Sequence, residues 1–242
     1  MNTVEVRNLT KVFGKRTAVD GISFNIEKGQ IFALLGQNGA GKTTTVRMLS
    51  CLAAPTSGDA FIMGHSIVSD EMNVKKIINV SPQETAVAPK LTVLENLELT
   101  ARIYGCDKKT AREKAEEMLE KFSLADRKND TAKKLSGGML RKLSVAMALI
   151  SQPQVIFLDE PTVGLDVRAR RELWEMVKSL KENMTVILTT HYLEEAEALA
   201  DRVCILNNGS VAALGTVGEI IESTGKASFE DAFLVLTEEG AI

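Results

Sequence analysis

Short apolar runs, each bounded by polar or turn-forming residues, recur along the chain: Val4–Val6, Phe24–Ile26, Ile31–Leu35, Ile77–Val80, Val155–Leu158, Thr185–Leu188 and Val203–Leu206. Runs of this length and composition predict strands. Helical spacing of apolar residues lies between several of them, at Thr43–Cys51, Val167–Leu180 and Leu193–Leu199. The alternation predicts an α/β core with a mostly parallel sheet. Asn207-Asn208-Gly209-Ser210 has the composition of a hairpin turn and predicts an antiparallel pair at one edge.

From Thr92 to about Ile150 the pattern changes and is almost wholly helical. Thr92 followed by Glu95 has the form of a capping box at the start of a helix running to Tyr104. Thr110–Phe122 places Ala111, Ala115, Met118, Leu119 and Phe122 at helical spacing with charges between them. A helical block inserted into the α/β core, at approximately 86–152, accounts for this change.

Composition narrows the classes. The 242 residues are 45% hydrophobic and 25% charged, the profile of a folded globular chain. With 29 Lys+Arg against 32 Asp+Glu, the net charge of −3 offers no basic excess for a nucleic-acid backbone. The longest uninterrupted apolar stretch, Val145–Ile150, is far short of the roughly 20 residues a membrane span needs. The start, Met1–Leu9, does not read as a cleavable leader. Cys51, Cys106 and Cys204 are odd in number and not in CxxC spacing, so they read as reduced packing residues of a cytoplasmic protein.

Two motifs carry chemistry. Gly36-Gln37-Asn38-Gly39-Ala40-Gly41-Lys42-Thr43 fits GxxxxGK[ST], between a predicted strand and a predicted helix. Glycines let successive N–H groups turn toward phosphate, and the helix N-terminus adds partial positive charge. Lys42 would reach the terminal phosphates and the Thr43 hydroxyl would ligate Mg²⁺. This loop alone does not separate an ATPase from a GTPase or a small-molecule kinase. The second motif is the apolar strand Val155–Leu158 ending in Asp159-Glu160. Successive strand residues face opposite ways, so the two acids have different tasks. Asp159 is the candidate metal ligand and Glu160 the candidate base for an attacking water. An acidic strand end facing water is the plainer alternative.

Leu135-Ser136-Gly137-Gly138-Met139 opens a further helical run. Two glycines in a first turn cost about 1 kcal/mol each relative to alanine. The segment reads either as a loose helix start or as a second phosphate-facing helix end.

In order, the phosphate loop, Ser81-Pro82-Gln83, Leu135–Gly138, Leu158–Pro161, Gly164-Leu165-Asp166 and Thr190-His191 resemble the motifs of the ATP-binding subunits of ABC transporters. The resemblance covers essentially the whole chain. It implies a P-loop NTPase (RecA-like) α/β core with an antiparallel edge and an inserted helical subdomain, forming one cassette over 1–242. It also implies ATP and Mg²⁺ as ligands. ATP would be held by the loop from Gly36 through Thr43 with Thr44, by Phe13 stacking on adenine, and by Val19 near the same base. Gln83 would touch the metal and the attacking water, and Glu160 and His191 would be the catalytic glutamate and the switch histidine. Ser136, Gly137 and Gly138 would bind the γ-phosphate of ATP held by a second copy or a homologous subunit, and Asp166 would line that dimer interface. Taken singly, Phe13 also reads as core, Gln83 as a loop amide and His191 as structural; His65 has no motif around it.

The family's signature commonly ends in glutamine, and here Met139 stands in that place. Methionine cannot make an amide hydrogen bond, but the implied contacts come from Ser136 and the glycine backbone. Met139, the segment Phe229–Thr237 and the run Thr92–Gly105 resemble the exporter branch that includes bacterial antibiotic-resistance systems. The expectation is an ATPase subunit that drives export through a separate membrane permease, peripheral on the cytoplasmic face of the membrane, with no nucleic-acid partner. A soluble regulator, or an ATPase acting on ribosomes or nucleic acid without a permease, is the alternative.

Overall fold

The computed structural model describes residues 2–181 and 183–238. Met1, Glu182 and residues 239–242 of the expected 1–242 cassette lie outside them. Strands β1 (Asn2–Phe13) and β2 (Arg16–Glu27) form a long antiparallel hairpin. With β4 (Ser57–Ile62) and β5 (His65–Ser66) they make a four-stranded sheet in the order β2-β1-β4-β5. The second sheet has six strands. It contains β3 (Ile31–Leu35), β6 (Ile78–Ser81), β7 (Val155–Asp159), β8 (Thr185–Thr190), β9 (Arg202–Asn207) and β10 (Ser210–Gly215), in the order β10-β9-β3-β8-β7-β6. All its pairings are parallel except β9 with β10. Asn208 and Gly209 close that edge hairpin with φ of 48° and 84°, a turn with positive φ at both central positions.

β3, β7 and β8 are buried along their whole length, as strands covered on both faces must be. Alternation along β3 divides the core. Ile31, Ala33 and Leu35 pack on the helical side, while Phe32 and Leu34 face the four-stranded sheet and helix α1 (Lys42–Leu49).

Between β6 and β7 the chain forms α3 (Val93–Ile103), α4 (Lys108–Lys121) and α5 (Gly137–Leu149). The Thr92 side chain accepts from Glu95 N–H while Glu95 Oε2 accepts from Thr92 N–H at 2.7 Å, which completes the capping box. Helices α6 (Val167–Leu180) and α7 (Leu193–Leu199) have the ranges their apolar spacing predicts. Helices α8 (Val217–Thr224) and α9 (Phe229–Thr237) follow the edge hairpin.

Three features differ from the sequence expectation. Ile77 ends helix α2 (Glu71–Ile77) rather than opening a strand, and β6 starts at Ile78. β1 and β2 run for 12 residues each, much longer than Val4–Val6 and Phe24–Ile26, because register shifts break their apolar alternation. β4 and β5 carry too few apolar residues to show as runs. Among the described residues, no helix is long and apolar enough to cross a membrane.

Candidate functional site

Four strands of the six-stranded sheet deliver their carboxyl ends to one place. Beyond β3 comes the phosphate loop, beyond β6 Gln83, beyond β7 Glu160, and beyond β8 His191. Open α/β sheets bind ligands at this end. The β1–β2 hairpin closes the other side with Phe13, Arg16 and Ala18. Together they line a cavity of about 560 Å³ with Asn38, Gly39, Gly41, Lys42, Thr43, Thr44, Gln83, Glu160, Val163 and His191.

The loop needs its glycines. Gly41 sits at φ 106°, and a Cβ there would lie 2.7 Å from the Ala18 carbonyl oxygen. A side chain at Gly36 would meet the Leu206 carbonyl at 2.5 Å. The Lys42 ammonium, only 5% exposed, donates to the Gly36 and Gln37 carbonyls at 2.7 and 3.2 Å. It also lies 3.4 Å from Glu160 Oε1. The Thr43 hydroxyl lies 3.2 Å from Asp159 Oδ1, and Thr189 Oγ1 donates to the same oxygen at 2.5 Å.

Glu160 is buried between two partners, with Lys42 at Oε1 and His191 Nδ1 at 2.8 Å from Oε2. An ionised carboxylate only accepts, so Nδ1 carries a proton in that state and His191 has its other ring nitrogen free for a ligand. Glu160 adopts φ 48°, a left-handed conformation that costs a non-glycine residue about 1–2 kcal/mol. Its N–H donates to both the Thr189 hydroxyl and the Thr189 carbonyl, at 2.9 and 3.2 Å. Strain held in place by surrounding bonds is a mark of functional geometry.

The structure brings together Phe13, Asn38, Gly39, Gly41, Lys42, Thr43, Thr44, Gln83, Glu160 and His191 around one cavity. Phe13 is 53% exposed and therefore no core residue. Gly36, Gln37 and Ala40 shape the loop behind the cavity lining, and Asp159 reaches it through Thr43. Val19 is fully buried beneath Gly41, and Ala18 and Arg16 occupy the wall where Val19 was expected. Ser136, Gly137 and Gly138 are outside the lining; the first two are exposed at the N-terminus of α5, and Ser136 Oγ accepts from Met139 N–H. Asp166 is also outside it and caps α6 by accepting from Ala169 N–H at 2.9 Å.

Sequence reasoning missed Arg16, Val163, Thr189 and Arg141. Arg141 is 5% exposed and reaches the backbone beside Gln83 and Glu160. Its one signal was a cation at an inward position of an apolar helix.

A phosphate loop, a Thr–Asp pair beside it and a strained glutamate at the end of a parallel sheet define a P-loop nucleoside triphosphatase. The chain belongs to the ABC transporter family, whose model matches residues 19–163, and it is an ATP-hydrolysing subunit of that family. It is 42% identical over 223 residues to the daunorubicin/doxorubicin resistance ATP-binding protein DrrA of Streptomyces peucetius, covering 92% of this chain and 68% of that one. It is 40% identical to the linearmycin resistance ATP-binding protein LnrL of Bacillus subtilis, covering 98% and 75%. The solved structure of an ABC transporter ATP-binding subunit matches with a TM-score of 0.86 at 29% identity, over 98% of this chain and all of that one. A dimeric cassette bound to ADP and Pi matches with a TM-score of 0.79 at 28% identity, over 88% and 98%. Proteins of this family dimerise and pair with membrane permeases.

Proposed function

We propose that two copies of this chain, or this chain and a homologous subunit, close around two ATP molecules and drive export through a separate membrane permease. One observation carries the reading. The candidate phosphate-handling groups converge on a single cavity, while the helix end at Ser136–Gly138 lies outside its lining, with Ser136 and Gly137 exposed. A pair of glycines at a helix N-terminus outside the cavity suits phosphate bound by a partner.

In this reading ATP enters between Phe13, which stacks on the base, and the Gly36–Thr44 loop, which wraps the phosphates. Lys42 exchanges the Gly36 and Gln37 carbonyls for phosphate oxygens. In doing so it leaves Glu160, whose Oε1 is then free to take a proton from water, while His191 holds Oε2 and keeps the carboxylate in place. Gln83 orients the water from the opposite wall. Thr43 and Asp159 offer hard oxygen donors within hydrogen-bond reach of each other, which suits Mg²⁺, with Gln83 as a further ligand. Bound there, Mg²⁺ neutralises charge on the phosphates.

The segment 86–152 is the helical subdomain of a single cassette. The permease docks beside it, where Pro82, Thr100, Tyr104 and Met147 line a groove of about 150 Å³. The chain is accordingly peripheral on the cytoplasmic side. Export is favoured by the resistance proteins it resembles and by its likeness to a Nod factor export ATP-binding protein of Ralstonia nicotianae, to which it is 42% identical over 90% of this chain.

Mixing subunits tests the shared site. Ser136→Arg and Glu160→Gln subunits are each expected to lose most turnover alone. Combined, they rebuild one intact site and recover turnover. A mixture no faster than its parts rejects the reading.

A further inference from the structure

Arg141 lies in the second turn of α5, one turn beyond Gly138, and is almost fully enclosed. None of its hydrogen bonds goes to a carboxylate. Nε donates to the Pro161 carbonyl at 2.9 Å and Nη2 to the Asp159 carbonyl at 2.8 Å. Nη1 donates to the Pro82 carbonyl at 2.5 Å and, more weakly, to that of Gln83 at 3.4 Å. One guanidinium carried by α5 therefore ties two stretches of main chain to that helix: the loop that carries Gln83, and the carbonyls of the two residues on either side of Glu160.

The choice of acceptors is informative. A buried guanidinium loses its hydration, and burial pulls Arg141 down to about 10 even with Asp159, Glu195 and Glu160 nearby. An apolar side chain of similar volume would fill the space at less cost. What a planar five-donor group adds is a rigid fork that holds several carbonyls in one fixed arrangement. Arg141 brackets Glu160 on both sides and holds it at φ 48° without neutralising the carboxylate.

We propose that Arg141 is a positioning residue: it anchors Gln83 and Glu160 of its own subunit to α5, the helix that presents Ser136–Gly138. The placement of these two side chains then depends on where α5 sits, with no direct contact between Arg141 and nucleotide. The mixed-subunit arm of the test below rests on the shared-site reading, and the single-variant arm does not.

In the full chain, Arg141→Met is expected to lower kcat at least about tenfold while equilibrium affinity for a fluorescent ATP analogue stays within about twofold, since the phosphate loop is untouched. Arg141→Lys, which keeps the charge but has one donor nitrogen, recovers only part of the rate. Wild-type kcat in Arg141→Met overturns the proposal. So does a loss of ATP affinity and melting temperature in proportion to the loss of rate, which marks a purely structural role.

The second arm places Arg141→Met in one member of the Ser136→Arg plus Glu160→Gln pair. The surviving site takes its glutamate from the Ser136→Arg subunit. Turnover should fall at least about fivefold further when Arg141→Met is in that subunit than when it is in the other. Equal losses overturn the proposal. If the pair without Arg141→Met shows no recovery, the shared-site reading fails by itself, and the kcat-against-affinity result decides the role of Arg141.

Discussion

Glu160 concentrates three constraints: burial, two charged or polar partners, and a left-handed backbone. Glu160→Gln keeps the shape and most of the hydrogen bonding but cannot accept a proton. Turnover is expected to fall by about 10²–10⁴, the usual contribution of a general base, with ATP affinity retained. Undiminished phosphate release in that variant would remove Glu160 from the base role. Lys42→Ala is expected to act earlier, because it removes the cation that would meet several phosphate charges. It should weaken nucleotide binding at least tenfold, measured by titration. Glu195, on α7, tests burial instead. Desolvation pushes its carboxyl above the ordinary value of 4.5. Between the ordinary and the raised value the folded chain holds more protons than the unfolded chain, so stability falls as pH rises through that window. Glu195→Gln cannot ionise and still accepts from Trp174 Nε1–H, a bond of 3.2 Å to Oε1 in the wild type. Its melting temperature should exceed the wild type's at about pH 7.5, and the gap should close toward about pH 4.5. A gap independent of pH would contradict this.

At the level of elements, legibility followed burial and the spacing of apolar residues. β3, β7 and β8 were readable because each is a continuous buried apolar run, and α6 and α7 because their apolar residues keep helical spacing, with Asp166 capping the start of α6. β1 and β2 showed only in part, at Val4–Val6 and Phe24–Ile26, and β4 not at all, since polar positions such as Arg7, Asn8, Ser57 and Asp59 interrupt them and their register shifts are set by cross-strand partners. The same division holds in the site. Lys42, Asp159 and Glu160 sit in local motifs, whereas Arg16, Thr189 and Arg141 enter through folding alone. The capping box of α3 offers a clean local test. Thr92→Ala removes the acceptor for Glu95 N–H and should cost about 1 kcal/mol. In a chain of this size that lowers the melting temperature by about 2–4 °C. ATP affinity should not change, because α3 contributes nothing to the cavity lining.

For the whole molecule, the decisive fact is that the candidate site residues lie on two surfaces. The cavity holds the loop, Gln83, Glu160 and His191, while Ser136, Gly137 and Asp166 are exposed outside it. If ATP bridges the two surfaces across a pair, association depends on nucleotide and on the failure of hydrolysis. Glu160→Gln with Mg-ATP should then sediment as a dimer, because the bridging γ-phosphate is never removed. The same variant with ADP should sediment as a monomer, since Ser136–Gly138 has no phosphate to reach. Adding Ser136→Arg to Glu160→Gln should abolish the dimer with ATP, as a guanidinium-bearing side chain fills the helix end that phosphate would occupy. A dimer that forms equally with ADP, or persists with Ser136→Arg, would mean that the subunits meet through some other surface. The near-neutral charge of −3 makes this separable from salt effects, because no large electrostatic repulsion between copies has to be overcome.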